Sequence, residues 1–201
     1  MSAPSVPKRG CRSVAGKTIG VLALQGAFVE HEAALRKCGA LVRQVRKPEE
    51  IQEVDGLIIP GGESTTIGKL MNKYGLDKVI VDRAAQGMPI WGTCAGMILL
   101  AKEIVDSDQL RLGLMDISVK RNGFGRQVES FEADLEVESI GPTRGVFIRA
   151  PYGEKAGDGV HIMARFKEKI VMAQQYNLLC TAFHPELTQD LCIHRYFLTM
   201  V

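Results

Sequence analysis

The chain has 201 residues, 46% of them apolar, enough for one domain with a substantial core. Its net charge of +2 gives no ground for a nucleic-acid or acidic-membrane partner, and no run approaches the ~20 apolar residues of a membrane span. The cysteines, Cys11, Cys38, Cys94, Cys180 and Cys192, are odd in number and lack a C-x-x-C pair, so neither a disulfide framework nor a zinc site is indicated, no ligand cluster implies a metal or organic cofactor, and a reducing cytoplasm is expected. Residues 1–16 carry Pro4, Pro7, Gly10 and Gly16, with basic but no acidic side chains. They predict a disordered extension, a remnant of organellar targeting being the other reading. Residues 17–201 read as one domain.

From Thr18 onward, short apolar runs alternate with amphipathic stretches. Strands are expected at 18–24, 41–45, 56–59 and 89–91, and helices at 28–38, 66–74 and 76–86, with Gly39 as a helix stop. A further helix opens after Cys94 and runs through 97–102. Such alternation implies an α/β fold with a parallel sheet covered on both faces. Beyond Asp116 the pattern changes to closely spaced strands at 117–120, 131–137, 145–148, 160–166, 170–175 and 178–182. These add antiparallel strands to the same core before a last helix at 189–200.

Two distant stretches fit together chemically: Gly92-Thr93-Cys94-Ala95-Gly96 and Phe183-His184-Pro185-Glu186-Leu187. A strand that ends in small residues and opens a helix makes a tight elbow presenting one side chain, here a thiol. Glycines on either side relieve the crowding. His184 and Glu186 are two apart, so on an extended segment they project from the same face, stiffened by Pro185. Nucleophile, base and orienting carboxylate make a triad for acyl transfer. Gly61-Gly62, after a strand, is a place where backbone N–H groups can turn toward an anion, or simply a turn before a helix capped by Ser64 or Thr65. Cys38, Cys180 and Cys192 read as packing residues, His194 as surface or packing, and His31 as structural or interfacial.

With these motifs the chain resembles the class I, triad-type glutamine amidotransferases, whose fold is a three-layer, flavodoxin-like α/β domain with a central mixed sheet. Gly20-Val21-Leu22-Ala23-Leu24-Gln25-Gly26, Ile59-Pro60-Gly61-Gly62-Glu63-Ser64-Thr65-Thr66 and Arg121-Asn122-Gly123-Phe124-Gly125-Arg126-Gln127 narrow the match. So do Ser130-Phe131-Glu132-Ala133-Asp134 and Gly145-Val146-Phe147-Ile148-Arg149-Ala150-Pro151. Together they are similar to the glutaminase subunits of pyridoxal 5′-phosphate synthase, the PdxT/SNO family. The resemblance implies hydrolysis of L-glutamine to glutamate and ammonia, the ammonia passing to a (β/α)₈ synthase subunit of the PdxS/SNZ type. It assigns Gly62 and Ala95 N–H as oxyanion donors, and Gly62, Glu63, Ser64, Arg121, Ile148 and Arg149 to glutamine.

Because unpartnered hydrolysis would waste glutamine, the site is expected to be incomplete until docking. Gly61-Gly62 is the expected switch, a glycine pair that can reverse a peptide plane at little steric cost, with Gln25 sensing the partner or bracing that loop. Two departures stand out: Gln174-Gln175-Tyr176 where the family often has Lys-Gln-Gly, and a variable loop at 152–159. The alternatives are a glutaminase subunit for another synthase, such as that of the histidine pathway, and a non-enzymatic DJ-1-like protein with a reactive cysteine.

Overall fold

The computed structural model describes residues 16–124 and 130–201. The expected extension at 1–16, apart from Gly16, and the Gly125-Arg126-Gln127 end of the Arg121 motif lie outside them. The first half alternates: β1 (Thr18–Leu22), α1 (Phe28–Lys37), β2 (Leu41–Val45), α2 (Pro48–Ile51), β3 (Gly56–Ile59), α3 (Ser64–Lys73), α4 (Leu76–Ala85), β4 (Ile90–Thr93) and α5 (Ala95–Leu100). The second is strand-rich: β5 (Ala101–Ile104), β6 (Met115–Lys120), β7 (Ser130–Val137), β8 (Gly141–Ile148), β9 (Tyr152–Ala156), β10 (His161–Phe166), β11 (Lys169–Gln175) and β12 (Leu178–Thr181). A 3₁₀ turn at Pro185–Leu187 and α6 (Cys192–Met200) complete the described chain. No helix among the described residues is long and apolar enough to cross a membrane.

The main sheet is mixed and ten-stranded, in the order β2-β1-β3-β4-β12-β11-β9-β6-β5 with β10 paired to β11. The strands from β2 to β12 run parallel, and β11 is antiparallel to β12. Alternation along β4 settles which helices cover which face. Trp91 points to the side where its ring meets His31 of α1 and His194 and Phe197 of α6. Gly92 points the other way, where a Cβ would lie 2.4 Å from the Gly96 carbonyl carbon, so α5 packs there. Helices thus cover both faces, giving three layers.

The register matters for the site. Ile59 pairs with Gly92, and Thr93 with Thr181, so β3, β4 and β12 end side by side. The segments carrying Gly61, Cys94 and His184 all leave the sheet from that edge, the place where open α/β sheets bind ligands.

Several expectations are corrected. The helix after Cys94 stops at Leu100, and Ala101–Ile104 forms a strand parallel to β6. Ala101-Lys102-Glu103-Ile104 would suit a helix, but tertiary pairing overrides weak local propensity. The stretch expected as a variable loop at 152–159 contains β9, which bridges β6 and β11. The short helix α2, opened by Pro48, had no sequence expectation. Strands β7 and β8 form a separate antiparallel ribbon, packed on the common core through Ala133, Leu135, Val137 and Phe147.

Candidate active site

Cys94 occupies the elbow in a conformation that L residues avoid, φ 48° and ψ −98°. The flanking glycines are needed for close approach: a Cβ on Gly96 would lie 2.1 Å from the Ile59 carbonyl oxygen, and one on Gly92 would meet Gly96. The Cys94 N–H donates to the Thr181 carbonyl at 2.8 Å, tying the elbow to β12. Its Sγ lies 3.9 Å from the Ile148 carbonyl oxygen at the end of β8.

His184 is held by its own N–H, which donates to the Val146 carbonyl at 2.8 Å. Its Nδ1 lies 2.7 Å from Glu186 Oε1, and both side chains are nearly buried. The expected pairing is present, but not through an extended segment. Residues Pro185–Leu187 form a 3₁₀ turn with Pro185 in its first position, and the turn, not strand alternation, brings carboxylate to imidazole. Burial opposes a charge on His184, but hydrogen bonds with Cys94 and Glu186 outweigh it and push its pKa up to about 10. Burial likewise works to raise the Glu186 carboxyl, yet His31 and His184 outweigh it and leave it below the usual carboxylate range.

The glycine loop fits beneath the imidazole. A Cβ on Gly61 would lie 2.3 Å from His184 Cε1, so only glycine leaves the ring in place. The Gly61 carbonyl accepts the Ala27 N–H at 3.0 Å, and the Glu63 N–H donates to Gln25 Oε1 at 2.7 Å. The loop is therefore gripped on both sides of Gly62 by the segment after β1. Since the peptide is trans, the Gly62 N–H points away from Ala27. Gln25 thus meets the loop through its side-chain oxygen.

A cavity of about 300 Å³ is lined by Gln25, Gly62, Glu63, Ser64, Cys94, Arg121, Ile148, Arg149 and His184, together with Ile98 and Asn122. Sequence reasoning named all of these but the last two. Of the other expected site residues, Glu186 stands behind His184, Gly61 beneath its ring, and Ala95 opens α5 just after Cys94. Glu63, not Ser64 or Thr65, caps α3: its Oε2 accepts the Thr66 N–H at 2.7 Å and the Thr66 hydroxyl at 2.9 Å. Burial opposes that carboxylate, but these hydrogen bonds outweigh it and lower its pKa. Its Oε1 lies 3.6 Å from Arg121.

Sequence reasoning missed Gln109. Its Oε1 accepts from Arg121 at 2.7 Å, Ser64 at 3.3 Å and Thr65 at 3.4 Å, fixing the guanidinium beside the α3 cap. No motif surrounds Gln109, so no sequence signal could have found it. Among the described residues no group of three or more His, Cys, Asp or Glu could hold a metal.

The model of the SNO glutamine amidotransferase family matches residues 21–201. The chain belongs to that family. Among relatives of the family, a "Pyridoxal 5'-phosphate synthase subunit PdxT" of Pelotomaculum thermopropionicum is 63% identical over 182 residues, spanning 90% of this chain and 93% of that one. The protein of the same name from Geobacillus kaustophilus is 54% identical over 184 residues, 91% and 94% of the two chains. A solved glutamine amidotransferase superposes with a TM-score of 0.88 at 52% identity, over 90% of this chain and 97% of the other. The PurLQS structure from Thermotoga maritima, at 17% identity and a TM-score of 0.70 over 91% of this chain and 97% of the other, shares the fold.

Proposed function

We propose that this chain hydrolyses L-glutamine to L-glutamate and ammonia as the glutaminase subunit of a pyridoxal 5′-phosphate synthase, with Cys94, His184 and Glu186 as its triad. The observation that carries the site reading is the meeting of a strained cysteine and a carboxylate-paired histidine at one cavity, beside a glycine loop. Cys94 attacks the side-chain amide carbon, and its thiol proton passes through His184 to the departing ammonia. Water, deprotonated by His184, then hydrolyses the thioester to glutamate. Glu186 keeps the imidazole oriented and stabilises its charged form. Gly62 N–H and Ala95 N–H receive the oxyanion; the first is turned away from Ala27, and the second is a free donor of the first turn of α5.

The glutamine α-carboxylate takes Arg121, and its ammonium takes Glu63; Ser64, Ile148 and Arg149 complete the pocket. Ammonia then passes to a separate synthase subunit built as a (β/α)₈ barrel, in the cytoplasm, with no nucleic acid or membrane involved. Gln25 and Gly61 couple docking of that subunit to the oxyanion loop. The contiguous buried core supports reading 17–201 as one amidotransferase domain. The PdxT names of the relatives favour this pathway over the histidine-pathway subunit, and the intact His184–Glu186 pair argues against a DJ-1-like protein.

The test is ammonia release from glutamine by the full chain with its synthase subunit. Cys94→Ala should abolish release and also covalent labelling by a glutamine-like electrophile. Specific labelling that persisted in Cys94→Ala would sink the nucleophile assignment.

A further inference from the structure

Behind Glu186, on the side away from the cavity, lies a closed polar cluster that the triad chemistry leaves unused. His31 of α1 and His194 of α6 are both fully buried. His31 Nδ1 lies 3.1 Å from His194 Nε2, and His31 Nε2 lies 3.1 Å from Thr93 Oγ1. The same Nε2 stands 3.4 Å from Glu186 Oε2. Among the described residues that oxygen has no aligned hydrogen-bond donor, His31 included, and His194 Nδ1 likewise has no hydrogen-bond partner.

Two tautomers of a neutral His31 are conceivable. With the proton on Nδ1, the Nε2 lone pair would face the carboxylate oxygen, and His194 would be left with a buried, unpartnered N–H at Nδ1. With the proton on Nε2, that N–H points to Thr93 Oγ1 with Glu186 Oε2 standing beside it at 3.4 Å, and His31 Nδ1 accepts from His194 Nε2. The orphan is then only a lone pair on His194 Nδ1, and orphaned acceptors are tolerated better than orphaned donors. The second arrangement wins on both counts. Burial lowers the pKa of both rings, His31 against the pull of Glu186 and His194 to about 3, in keeping with two neutral histidines.

We infer that His31 is a positioning residue of the triad: as the Nε2–H tautomer, supported from behind by His194, it donates to Glu186 Oε2 and fixes the carboxylate plane so that Oε1 stays on His184 Nδ1. This rests on the triad reading above. Apo contacts around catalytic groups are commonly long or poorly aligned and tighten once substrate is bound, so an unaligned approach of 3.4 Å suits this role. The ionisable groups around His31 are Glu186, His184 and His194 from the facing elements and Glu30 from its own helix. Removing the imidazole takes away the favourable electrostatic partner that opposes the desolvation of Glu186, so Glu186 would protonate at higher pH and cease to orient His184.

The experiment has two arms on the full chain. Nitrogen-15 imidazole spectra of the wild type should find His31 protonated at Nε2 and bare at Nδ1; the opposite tautomer overturns the inference. With the synthase subunit present, His31→Leu should lower kcat about 10- to 100-fold, the worth of one hydrogen bond to a charged group, with KM changed less than about twofold. Its acid limb of kcat/KM should move to higher pH. His31→Gln, whose amide reaches the Nε2 position, should recover most of kcat and return the limb. If both variants lose rate equally at every pH, the role is only packing and the inference fails. Should His31→Leu not fold, the tautomer and the His31→Gln profile still decide. Cys94→Ala run alongside separates the readings: activity surviving there sinks the triad, whereas His31 variants matching wild type sink only the positioning role.

Discussion

Cys94 holds a backbone conformation that costs on the order of 1–3 kcal/mol in a non-glycine residue, and the surrounding packing enforces it. The strain aims Sγ into the cavity, and a thiol there is useful only if a base is correctly oriented. Glu186→Gln keeps the shape of the turn but loses the charge that stabilises the imidazolium. Turnover should fall by about 10⁴-fold, as for the comparable change in a serine triad, while glutamine still binds. Single-turnover kinetics with an equilibrium binding measurement checks this; turnover within a few-fold of wild type would refute the orienting role. The raised pKa of His184 has a consequence for stability. Burial opposes it, but the Cys94 and Glu186 bonds win, so the folded state binds the proton more tightly than the unfolded one. That contribution is fully present below about pH 6.5 and is lost as pH rises through about 10. Melting temperature should therefore drop more across this window in wild type than in His184→Asn; parallel curves would mean that His184 is not held charged by the fold. Glu186 has the opposite sign, its contribution being lost as pH falls through its lowered folded value.

At the scale of elements, the loop between β3 and α3 is held between two neighbours. Gln25 and Ala27 grip it from one side, and the His184 ring leaves no room for a side chain at Gly61. Gly61→Ala should push the ring off Cys94. We expect a fall in glutaminase activity of at least about a hundredfold, with an overpacking cost of about 1–3 kcal/mol. Activity assays paired with thermal melts test it, and near-normal turnover in a folded Gly61→Ala would show that the loop yields. Arg121 is positioned differently. Its segment is pinned by Lys169, whose Nζ donates to the Gly123 carbonyl and sits 4.6 Å from the Phe124 ring centre and 4.3 Å from that of Tyr152. A Cβ on Gly123 would lie 1.9 Å from Tyr152. Strand β9, expected as a loop, therefore supplies one wall that fixes the Arg121 segment. Its short, bulged pairing, with a single bridge to β11, explains why local periodicity did not reveal it.

For the whole molecule, the carboxyl ends of β3, β4 and β12 bring the Gly61-Gly62 loop, Cys94 and His184 to one edge of the sheet. Coupling to a synthase subunit then needs only a small movement there. Reversing the Gly61–Gly62 peptide would break the bond from Ala27 and remove an oxyanion donor, a loss of about 10²–10³ in rate. We expect low glutaminase activity alone, strong activation by the barrel subunit, and loss of that activation in Gln25→Ala. The check is kcat for glutamine with and without partner, and equal values would refute docking-dependent completion while sparing the triad. The alternation of strands and helices, the elbow at Cys94 and the His184–Glu186 pair were legible in the amino-acid sequence, because each is a local pattern of spacing and residue type. Tertiary structure alone decided that Glu63 caps α3 while facing Arg121, that Gln109 orders the guanidinium, and that His31 and His194 close in behind Glu186. Those contacts join residues from separate elements, and nothing in local spacing encodes a distance across the core.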